Sequence, residues 1–187
     1  PFYTKKEAEK LKKRFIIKED SGRGYRRVVP SPKPIEIIES DIIKKLLSLN
    51  VVVIASGGGG IPVIKENNKL VGVEAVIDKD SASSCLANSI NAEVLIMITD
   101  IDRVYLNFRK KNQKGLNKVK LKEIKRYYKQ GHFPTGSMGP KIEAAINFLE
   151  KGGKKVIIAN STNVSKALKE KSGTVIERWK TAYFVIL

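Results

Sequence analysis

The sequence is poor in the residues that build disulfides, metal centres and histidine relays. It has one cysteine, Cys85, and one histidine, His132, among 187 residues. A single cysteine cannot form an internal disulfide, which agrees with a reducing compartment. His132 has no partner at metal-ligand spacing, and no evident base accompanies Cys85. These scarcities argue against a disulfide scaffold, a zinc centre and a hydrolase with a histidine-activated nucleophile.

Long apolar runs are also missing. No stretch reaches the roughly 18 apolar residues needed to cross a bilayer, and the first residues, 1–13, are charged rather than signal-like. We therefore expect a cytoplasmic protein without a membrane partner. Hydrophobic residues make up 42% and charged residues 29% of the chain, as in a globular protein, and 187 residues suit one domain better than two.

Acidic residues are few beside the basic ones. The 19 Asp and Glu residues face 36 Lys and Arg residues, so the net charge is +17, which invites a nucleic-acid interpretation. The lysines are scattered over most helix-like segments, however, and the densest basic cluster, 109–114, lacks the interleaved aromatic residues of a stacking platform. We therefore interpret the charge as a lysine-rich solvated surface and expect no nucleic-acid partner. Attraction for small polyanions such as nucleotides fits either interpretation.

Helices and apolar strands alternate through most of the chain. Thr4 followed by Glu7 has the spacing of a capping box and predicts a helix within residues 1–17, whereas residues 18–34 mix Gly, Pro and paired charges and predict irregular structure. The pattern then predicts helices over 40–49, 81–90, 121–130 and 141–151. Apolar strands are predicted over 51–55, 94–99 and 155–159. Strands that are apolar throughout, between amphipathic helices, indicate a three-layer α/β/α sandwich with a mainly parallel sheet.

Such sheets bind ligands at the carboxyl ends of their strands, where two motifs fall. The string SGGGG, residues 56–60, follows the strand predicted at 51–55, and its glycines would let the backbone approach a phosphate closely. It matches neither a Walker A loop nor a dinucleotide fingerprint, so a flexible turn is an equal alternative. Thr99 and Asp100 follow the second strand.

Two charged motifs lie at predicted helix starts. Asp78, Lys79 and Asp80 precede a helix; such a trio is usually a surface ion pair, but near a phosphate it offers a cation to the phosphate and a carboxylate to a metal or to lysines. Within HFPTGSMGPK, residues 132–141, Lys141 falls in the first helical turn, where the helix dipole disfavours a cation. A bound phosphate would resolve that conflict, so Lys141 is the strongest candidate binding residue.

Five strings in this order resemble the carbamate kinases of the amino-acid kinase superfamily: KEDSGRGYRRVVPSPKP, ASGGGGIPVI, GVEAVIDKD, TDIDRVYLNF and GHFPTGSMGPK. The resemblance runs from Pro1 to about Ile176. It implies the amino-acid kinase fold and a homodimeric, Mg²⁺-dependent enzyme that transfers a phosphoryl group between ATP and carbamate. In fermentative arginine breakdown the family works from carbamoyl phosphate and ADP toward ATP.

The resemblance also implies roles for particular residues. Lys79 and Lys141 match the family's phosphate-binding lysines, and Asp80 matches the carboxylate that holds such lysines in place. The phosphoryl side of the site is assigned to Ser56, Gly57, Gly58 and Gly59. The nucleotide side is assigned to Thr99, Asp100 and Tyr105, with Met138 nearby. No residue is assigned as a direct metal ligand. No nucleophilic side chain is assigned either, because positioning and charge neutralisation are the main needs of phosphoryl transfer.

The resemblance divides the chain into three parts. Residues 1–39 are expected to form a helix and a small lobe projecting over the active site, in which 22–27 suits the gating of charged substrates. Residues 40–176 are expected to form the nucleotide-binding domain. Residues 177–187, ending in TAYFVIL, form an atypical tail that is either an added strand or an out-of-frame end. Family chains normally begin with a further segment carrying a first strand, a Gly-Gly-Asn loop and another lysine, so we expect a fragment whose sheet is incomplete at its N-terminal side.

Alternatives to a carbamate kinase remain open. Because the acceptor half would be missing, the chain could bind ADP or ATP without turnover. Kinases of acetylglutamate, aspartate or uridylate in the same superfamily are another alternative, although the string EDSGRGYRRVVPSP is typical of carbamate kinases. A basic nucleic-acid binder ranks last.

Overall fold

A computed structural model of the chain describes residues 1–20, 22–134, 136 and 138–178. Two compact units make up the chain: the first comprises Pro1–Pro32 and Ile61–Ile77, and the second comprises Lys33–Gly60 and the residues from Asp78 onward. The first unit therefore includes 61–77, which the predicted boundary at residue 39 placed in the nucleotide-binding domain. Residues 179–187, which include TAYFVIL, lie outside the described residues. So do Ser21, Thr135 and Ser137.

The first unit begins with a short capped helix, α1, at Lys5–Leu11. The hydroxyl of Thr4 accepts a hydrogen bond from the backbone N–H of Glu7, and the Glu7 carboxylate accepts one from the backbone N–H of Thr4. The predicted capping box is therefore confirmed. The helix is shorter than the predicted span of 1–17: it begins at Lys5 and ends at Leu11.

Two antiparallel hairpins complete the first unit. One joins β1 at Ile17–Glu19 to β2 at Tyr25–Arg27, within the segment that was predicted to be irregular. The other joins β3 at Val63–Glu66 to β4 at Lys69–Gly72. These strands have only three or four residues each, too few for a hydrophobic pattern to reveal.

The second unit carries most of the helices and the main sheet. Its helices are α2 at Ser40–Ser48, α3 at Lys79–Ser89, α4 at Leu121–Lys129, α5 at Met138–Glu150 and α6 at Val164–Leu168. Its strands are β5 at Val94–Thr99, β6 at Val104–Leu106, β7 at Lys114–Leu116, β8 at Lys118–Lys120, β9 at Lys155–Asn160 and β10 at Thr174–Glu177. The predictions of α2 to α5, β5 and β9 are confirmed to within three residues at each end.

The main sheet has four strands in the order β5, β9, β10, β8. β5 pairs with β9 and β10 pairs with β8 in parallel, whereas β9 and β10 are antiparallel. Parallel pairs therefore predominate in a mixed sheet. A separate hairpin of β6 and β7 follows β5.

Helices lie on both faces of the sheet. On one face, Ile124 of α4 and Ile142 and Phe148 of α5 are fully buried. They pack in one cluster with Val156 and Ile158 of β9. On the other face Ile157 and Ala159 of β9 pack with Ala167 of α6. Each large apolar side chain buried in this way contributes about 1.5–3 kcal/mol. The α/β class and the helices on both faces agree with the predicted fold.

The strand predicted at 51–55 does not form. Residues 51–55 belong to no helix or strand, and Val52 and Ile54 are 90% and 98% exposed. A strand needs a neighbour for its backbone hydrogen bonds, and within the described part of the chain the backbone N–H of Val51 bonds only back to the carbonyl of Leu46. Residues 51–55 are apolar, as the prediction requires, but no described strand pairs with them. None of the helices described is long and apolar enough to cross a membrane.

Candidate active site

A buried ion pair joins the first turns of two helices. Lys141 lies in the first turn of α5 and Asp80 in that of α3, and the two residues are 9% and 8% exposed. The ammonium of Lys141 donates to both carboxylate oxygens of Asp80, at 2.8 and 3.1 Å. α3 and α5 pack against each other, so the pair is fixed by two rigid elements.

Lys79 adds a second cation to this pair. Its Nζ is 3.6 Å from Oδ2 of Asp80, while its side chain is 62% exposed. An exposed contact of this length adds little to stability. Two cations around one carboxylate leave a net positive charge, with one ammonium buried and the other facing solvent. We name Lys79, Asp80 and Lys141 the charge cluster; its excess cation suits a phosphate oxygen.

Asp78 fixes the first turn of α3. Its backbone is extended, and its carboxylate accepts a hydrogen bond from the backbone N–H of Ser81 at 2.9 Å. This N-cap sets where the helix begins and so places Lys79 and Asp80 in the first turn. The sequence analysis treated Asp78 only as one of three charges. An Asp three residues before a serine at a helix start was the signal for its capping role.

A close backbone contact fixes the start of α5. The backbone N–H of Gly139 donates to the carbonyl of Pro134 at 2.8 Å, and a Cβ at position 139 would lie 2.8 Å from that same oxygen. Only glycine allows this approach. Met138, the first helical residue, is buried one turn before Lys141. Gly139 thereby sets the direction from which Lys141 meets Asp80.

The SGGGG string forms a tight turn. Ser56 and Gly57 both have a positive φ, 62° and 43°, and the backbone N–H of Gly59 donates to the carbonyl of Ser56 at 2.8 Å. The buried hydroxyl of Ser56 has no hydrogen-bond partner in the described structure. An unsatisfied buried hydroxyl beside open glycine backbone fits a ligand that carries oxygen atoms. The hydrogen bonds and ion pairs of the described residues do not link this turn to the charge cluster.

The predicted nucleotide-side residues lie at or after the carboxyl end of β5. Thr99, the last residue of β5, is in register with Asn160, the last residue of β9, so both lie at the carboxyl edge of the sheet. Asp100 follows and is exposed. Tyr105 lies on β6, where its hydroxyl donates to Oδ1 of Asp102 at 2.8 Å. The contacts described do not join Tyr105 to the charge cluster.

Asp102 organises the β6 strand, and sequence reasoning missed it. Oδ2 of Asp102 also accepts a hydrogen bond from Nε of Arg103 at 2.9 Å. Burial opposes ionisation of Asp102, but the hydrogen bonds from Tyr105 and Arg103 prevail and lower its pKa. The same bond raises the pKa of the Tyr105 hydroxyl, with burial acting in the same direction. At neutral pH the pair is therefore a charged acceptor and a protonated donor.

Metal ligands are scarce in the described structure. In residues 1–20, 22–134, 136 and 138–178, no three His, Cys, Asp or Glu side chains come together to hold a metal ion. Asp80 is occupied by Lys141, and Asp102 by Tyr105 and Arg103.

Comparison with known proteins places these features in a family. Residues 6–160 match the amino acid kinase family, which is more than half of the chain. The chain belongs to the amino acid kinase family. Among curated members of this family, the carbamate kinases of Pyrococcus horikoshii and Clostridium perfringens are 48% and 51% identical to it over 178 residues. These alignments cover 94% of this chain but only 57% of either relative.

A solved structure is also similar to this chain over part of its length. Carbamate kinase from Giardia lamblia bound to AMP-PNP matches with a TM-score of 0.88 and 46% identity, covering 96% of this chain and 58% of that protein. The predicted resemblance and fold are therefore confirmed. The chain spans a little under three-fifths of the relatives it matches. The roles of individual site residues stay predictions.

Proposed function

We propose that this chain provides the nucleotide-binding part of a carbamate kinase. The reaction is reversible phosphoryl transfer between ATP and carbamate, used in arginine fermentation to make ATP from ADP and carbamoyl phosphate. The observation that carries the proposal is the charge cluster: two lysines share one carboxylate at adjoining helix starts, in a chain 48–51% identical to curated carbamate kinases.

The charge cluster supplies what a loose phosphoryl-transfer transition state needs. Negative charge on the transferred group is spread over its oxygen atoms, so fixed cations stabilise it. Lys141 is held in one position by two hydrogen bonds to Asp80, which reduces the reorganisation needed during reaction. Lys79, with its exposed ammonium, binds a phosphate oxygen on arrival. Asp80 acts as a positioning residue that keeps the two cations together.

The remaining predicted residues form the rest of the nucleotide site. Thr99, Asp100 and Tyr105, with Met138 nearby, contact the nucleoside part. The orphan hydroxyl of Ser56 and the amides of Gly57 and Gly58 contact phosphoryl oxygens, while Gly59, whose amide is bonded to the Ser56 carbonyl, holds the turn. The relative from Giardia lamblia was solved with AMP-PNP, an ATP analogue, which supports a nucleotide as the ligand of this chain. Mg²⁺ would enter on the phosphates and neutralise part of their charge. We also propose a homodimer in the cytoplasm, with residues 1–39 as the small lobe that the resemblance implies.

Calorimetric titration with ADP and Mg²⁺ tests the proposal. We expect saturable binding at physiological salt, because site-specific contacts persist where nonspecific attraction to a charge of +17 is screened. Lys79→Ala should weaken ADP binding by one to two decades, about 1.5–3 kcal/mol. Lys65→Ala, an exposed lysine on β3, is the matched control and should bind as the parent does. Equal affinity of the parent and Lys79→Ala would overturn the assignment.

A further inference from the structure

Residues 130–134, which we name the exit segment, leave the end of α4 through a Schellman motif. The backbone N–H of Gly131, whose φ is 74°, donates to the carbonyl of Tyr128. The backbone N–H of His132 donates to the carbonyl of Tyr127, and the rings of these two residues meet edge to face with centroids 5.7 Å apart. A contact between these two positions frequently accompanies the motif. The end of α4 therefore fixes the place of the His132 ring.

The His132 side chain joins the exit segment to the β6–β7 hairpin. Its Nδ1 lies 3.0 Å from Oδ1 of Asn107, which directly follows β6. An amide oxygen only accepts, so Nδ1 of His132 donates. Asn107 has a φ of 51°, in the left-handed region that asparagine adopts more readily than most residues. The bond spans 25 residues of chain and ties two turns together.

The exit segment also leads from His132 to the start of α5. Phe133 is 6% exposed and belongs to the main apolar core. The carbonyl of Pro134 accepts the hydrogen bond from Gly139 that fixes the first turn of α5. Lys141 of the charge cluster lies in that turn. A shift of the exit segment at His132 would therefore be passed on to Lys141.

We propose that His132 is a positioning residue for nucleotide binding, whose bond to Asn107 fixes the separation of the nucleoside side and the phosphate side of the site. This inference rests on the proposed function, which assigns Tyr105 to the nucleoside and Lys141 to a phosphate. Tyr105 lies on β6 shortly before Asn107, and Lys141 lies beyond the exit segment. A nucleoside diphosphate contacts both sides at once. It binds tightly only when both are already in place, because ordering them on binding costs free energy.

Three ligands distinguish positioning from a general effect on the fold. ADP reaches both sides, whereas adenosine reaches only the nucleoside side and inorganic pyrophosphate only the phosphate side. His132→Phe keeps an aromatic ring beside Tyr127 and removes the donor to Asn107. It should weaken ADP binding about tenfold, as the loss of one hydrogen bond allows, and change the other two affinities by less than about twofold. Calorimetric titration measures ADP, and NMR titration measures the two smaller ligands.

A conservative variant tests the role of the donor itself. His132→Asn places an amide N–H where the Nδ1 of the imidazole lies, so it can donate to Asn107 again. It should recover most of the ADP affinity that His132→Phe loses. The aromatic contact with Tyr127 is absent from His132→Asn, so recovery would assign the effect to the hydrogen bond rather than to the ring.

A thermodynamic cycle with Asn107 locates the effect. Asn107→Gly removes the acceptor and tolerates the positive φ. The double variant with His132→Phe should bind ADP no more weakly than either single variant, because both remove the same bond. Asn91→Gly is the matched control. It changes the same residue type at a φ of 55°, at an exposed position beyond the end of α3, and should leave ADP affinity unchanged.

Amide hydrogen exchange tests the tie without any ligand. In His132→Phe the N–H of Gly139 should exchange faster, because its acceptor Pro134 lies on the released exit segment. The amide of Ala145, farther along α5, should keep the rate that it has in the parent. A general loss of stability would speed both.

Three results would overturn the inference. One is equal ADP affinity of His132→Phe and the parent. Another is an equal loss of affinity for ADP, adenosine and pyrophosphate, which would mark a general effect on the fold. The third is a double variant in which the two effects simply add. A parent that binds no ADP would instead contradict the proposed function, and the exchange rate of Gly139 would still decide whether His132 holds the start of α5.

Discussion

Lys141, which we propose as a phosphate-binding residue, also has a role in the fold. The sequence suggested a phosphate as the anion that offsets a cation in the first turn of a helix, whereas the structure supplies Asp80. Both groups are buried, so removing Lys141 takes away the cation that hydrogen-bonds to Asp80 and leaves only the solvent-exposed ammonium of Lys79, 3.6 Å away. A lysine selected only for nucleotide binding would tolerate removal, and Lys141 should not.

Lys141→Met should therefore lower the free energy of unfolding by about 3–5 kcal/mol, because Asp80 loses its cation in a buried place. Urea denaturation measures this. Lys79→Met, at a 62% exposed side chain, should change stability by no more than about 0.5 kcal/mol while still weakening ADP binding.

The double variant Lys141→Met/Asp80→Leu separates the two roles. It removes both charges together, so it should recover much of the stability lost in Lys141→Met without recovering ADP affinity. Equal urea midpoints for the parent and Lys141→Met would contradict the structural role.

Cys85 offers a second test at the residue scale. Burial raises the pKa of its thiol, and the side chain donates to the carbonyl of Ile35 at 3.6 Å. Thiolates react with disulfide reagents and thiols do not, so Cys85 should react with a chromogenic disulfide at pH 8 at least tenfold more slowly than an exposed cysteine. Cys85→Ser/Ser161→Cys provides that exposed reference. Equal rates would show that Cys85 is not protected.

The contribution of Cys85 to the stability of the fold should decrease as the pH rises. Folding raises the pKa of Cys85, so the folded state favours the neutral thiol. Its contribution to stability is complete below the pKa of the unfolded chain and disappears as the pH rises through the folded value. Cys85→Ser should flatten that decline in alkaline urea titrations.

At the scale of elements, the length of a helix or strand decides whether its hydrophobic pattern can be recognised in the sequence. Helices of nine to thirteen residues such as α4 and α5 show their amphipathic faces and were predicted from pattern. The three-residue strands β6, β7 and β8 are too short to show alternation, and none was predicted. The failure at 51–55 has another cause, because a strand depends on a neighbour that local pattern does not contain.

Thr174 connects three short strands, β6, β7 and β10. Its hydroxyl accepts a hydrogen bond from the backbone N–H of Val104 on β6 at 2.9 Å and donates one to the carbonyl of Leu116 on β7, while its backbone lies on β10. The residue is fully buried. A single side chain thus ties the β6–β7 hairpin to the main sheet.

Thr174→Val should destabilise the protein by about 1–3 kcal/mol, because the buried N–H of Val104 loses its acceptor. Thermal and urea unfolding measure the change. Thr174→Ser keeps the hydroxyl and should lose less, and Thr162→Val at an exposed threonine should have little effect. A Thr174→Val protein as stable as the parent would show that the hairpin is not anchored through this residue.

At the scale of the whole molecule, the family could be predicted because five strings carry it, and the α/β class because apolar strands alternate with amphipathic helices. The resemblance to carbamate kinases implied the three residues of the charge cluster and that Asp80 holds the lysines. It did not give the geometry: the two hydrogen bonds between Lys141 and Asp80 span 61 residues and depend on how α3 packs against α5. The role of Thr174 likewise depends on contacts between the β6–β7 hairpin and the main sheet that only the folded chain brings about.

The isolated chain should bind ADP but should not make ATP from carbamoyl phosphate. Every assigned nucleotide-side residue lies within it, whereas two-fifths of the family's length does not. Positioning two reactants is worth roughly 7–11 kcal/mol of the barrier, so losing the grip on one reactant should abolish measurable rate. A coupled assay for ATP formation, with ADP titration as the binding control, checks this. Turnover at a rate typical of the family would show that the acceptor site is built from these residues alone.

The long separation between paired residues also sets an order in time during synthesis on the ribosome. Lys141 follows Asp80 by 61 positions, and Val94 of β5 is separated from its register partner Lys155 by the same number, 155 minus 94. At about 5–20 residues per second, each partner emerges about 3–12 s after the first. While residues 100–140 are being added, the nascent chain carries together a carboxylate without its lysine partner from α5 and a bare apolar strand. Translation of that stretch is therefore the stage at which a chaperone would have most to protect.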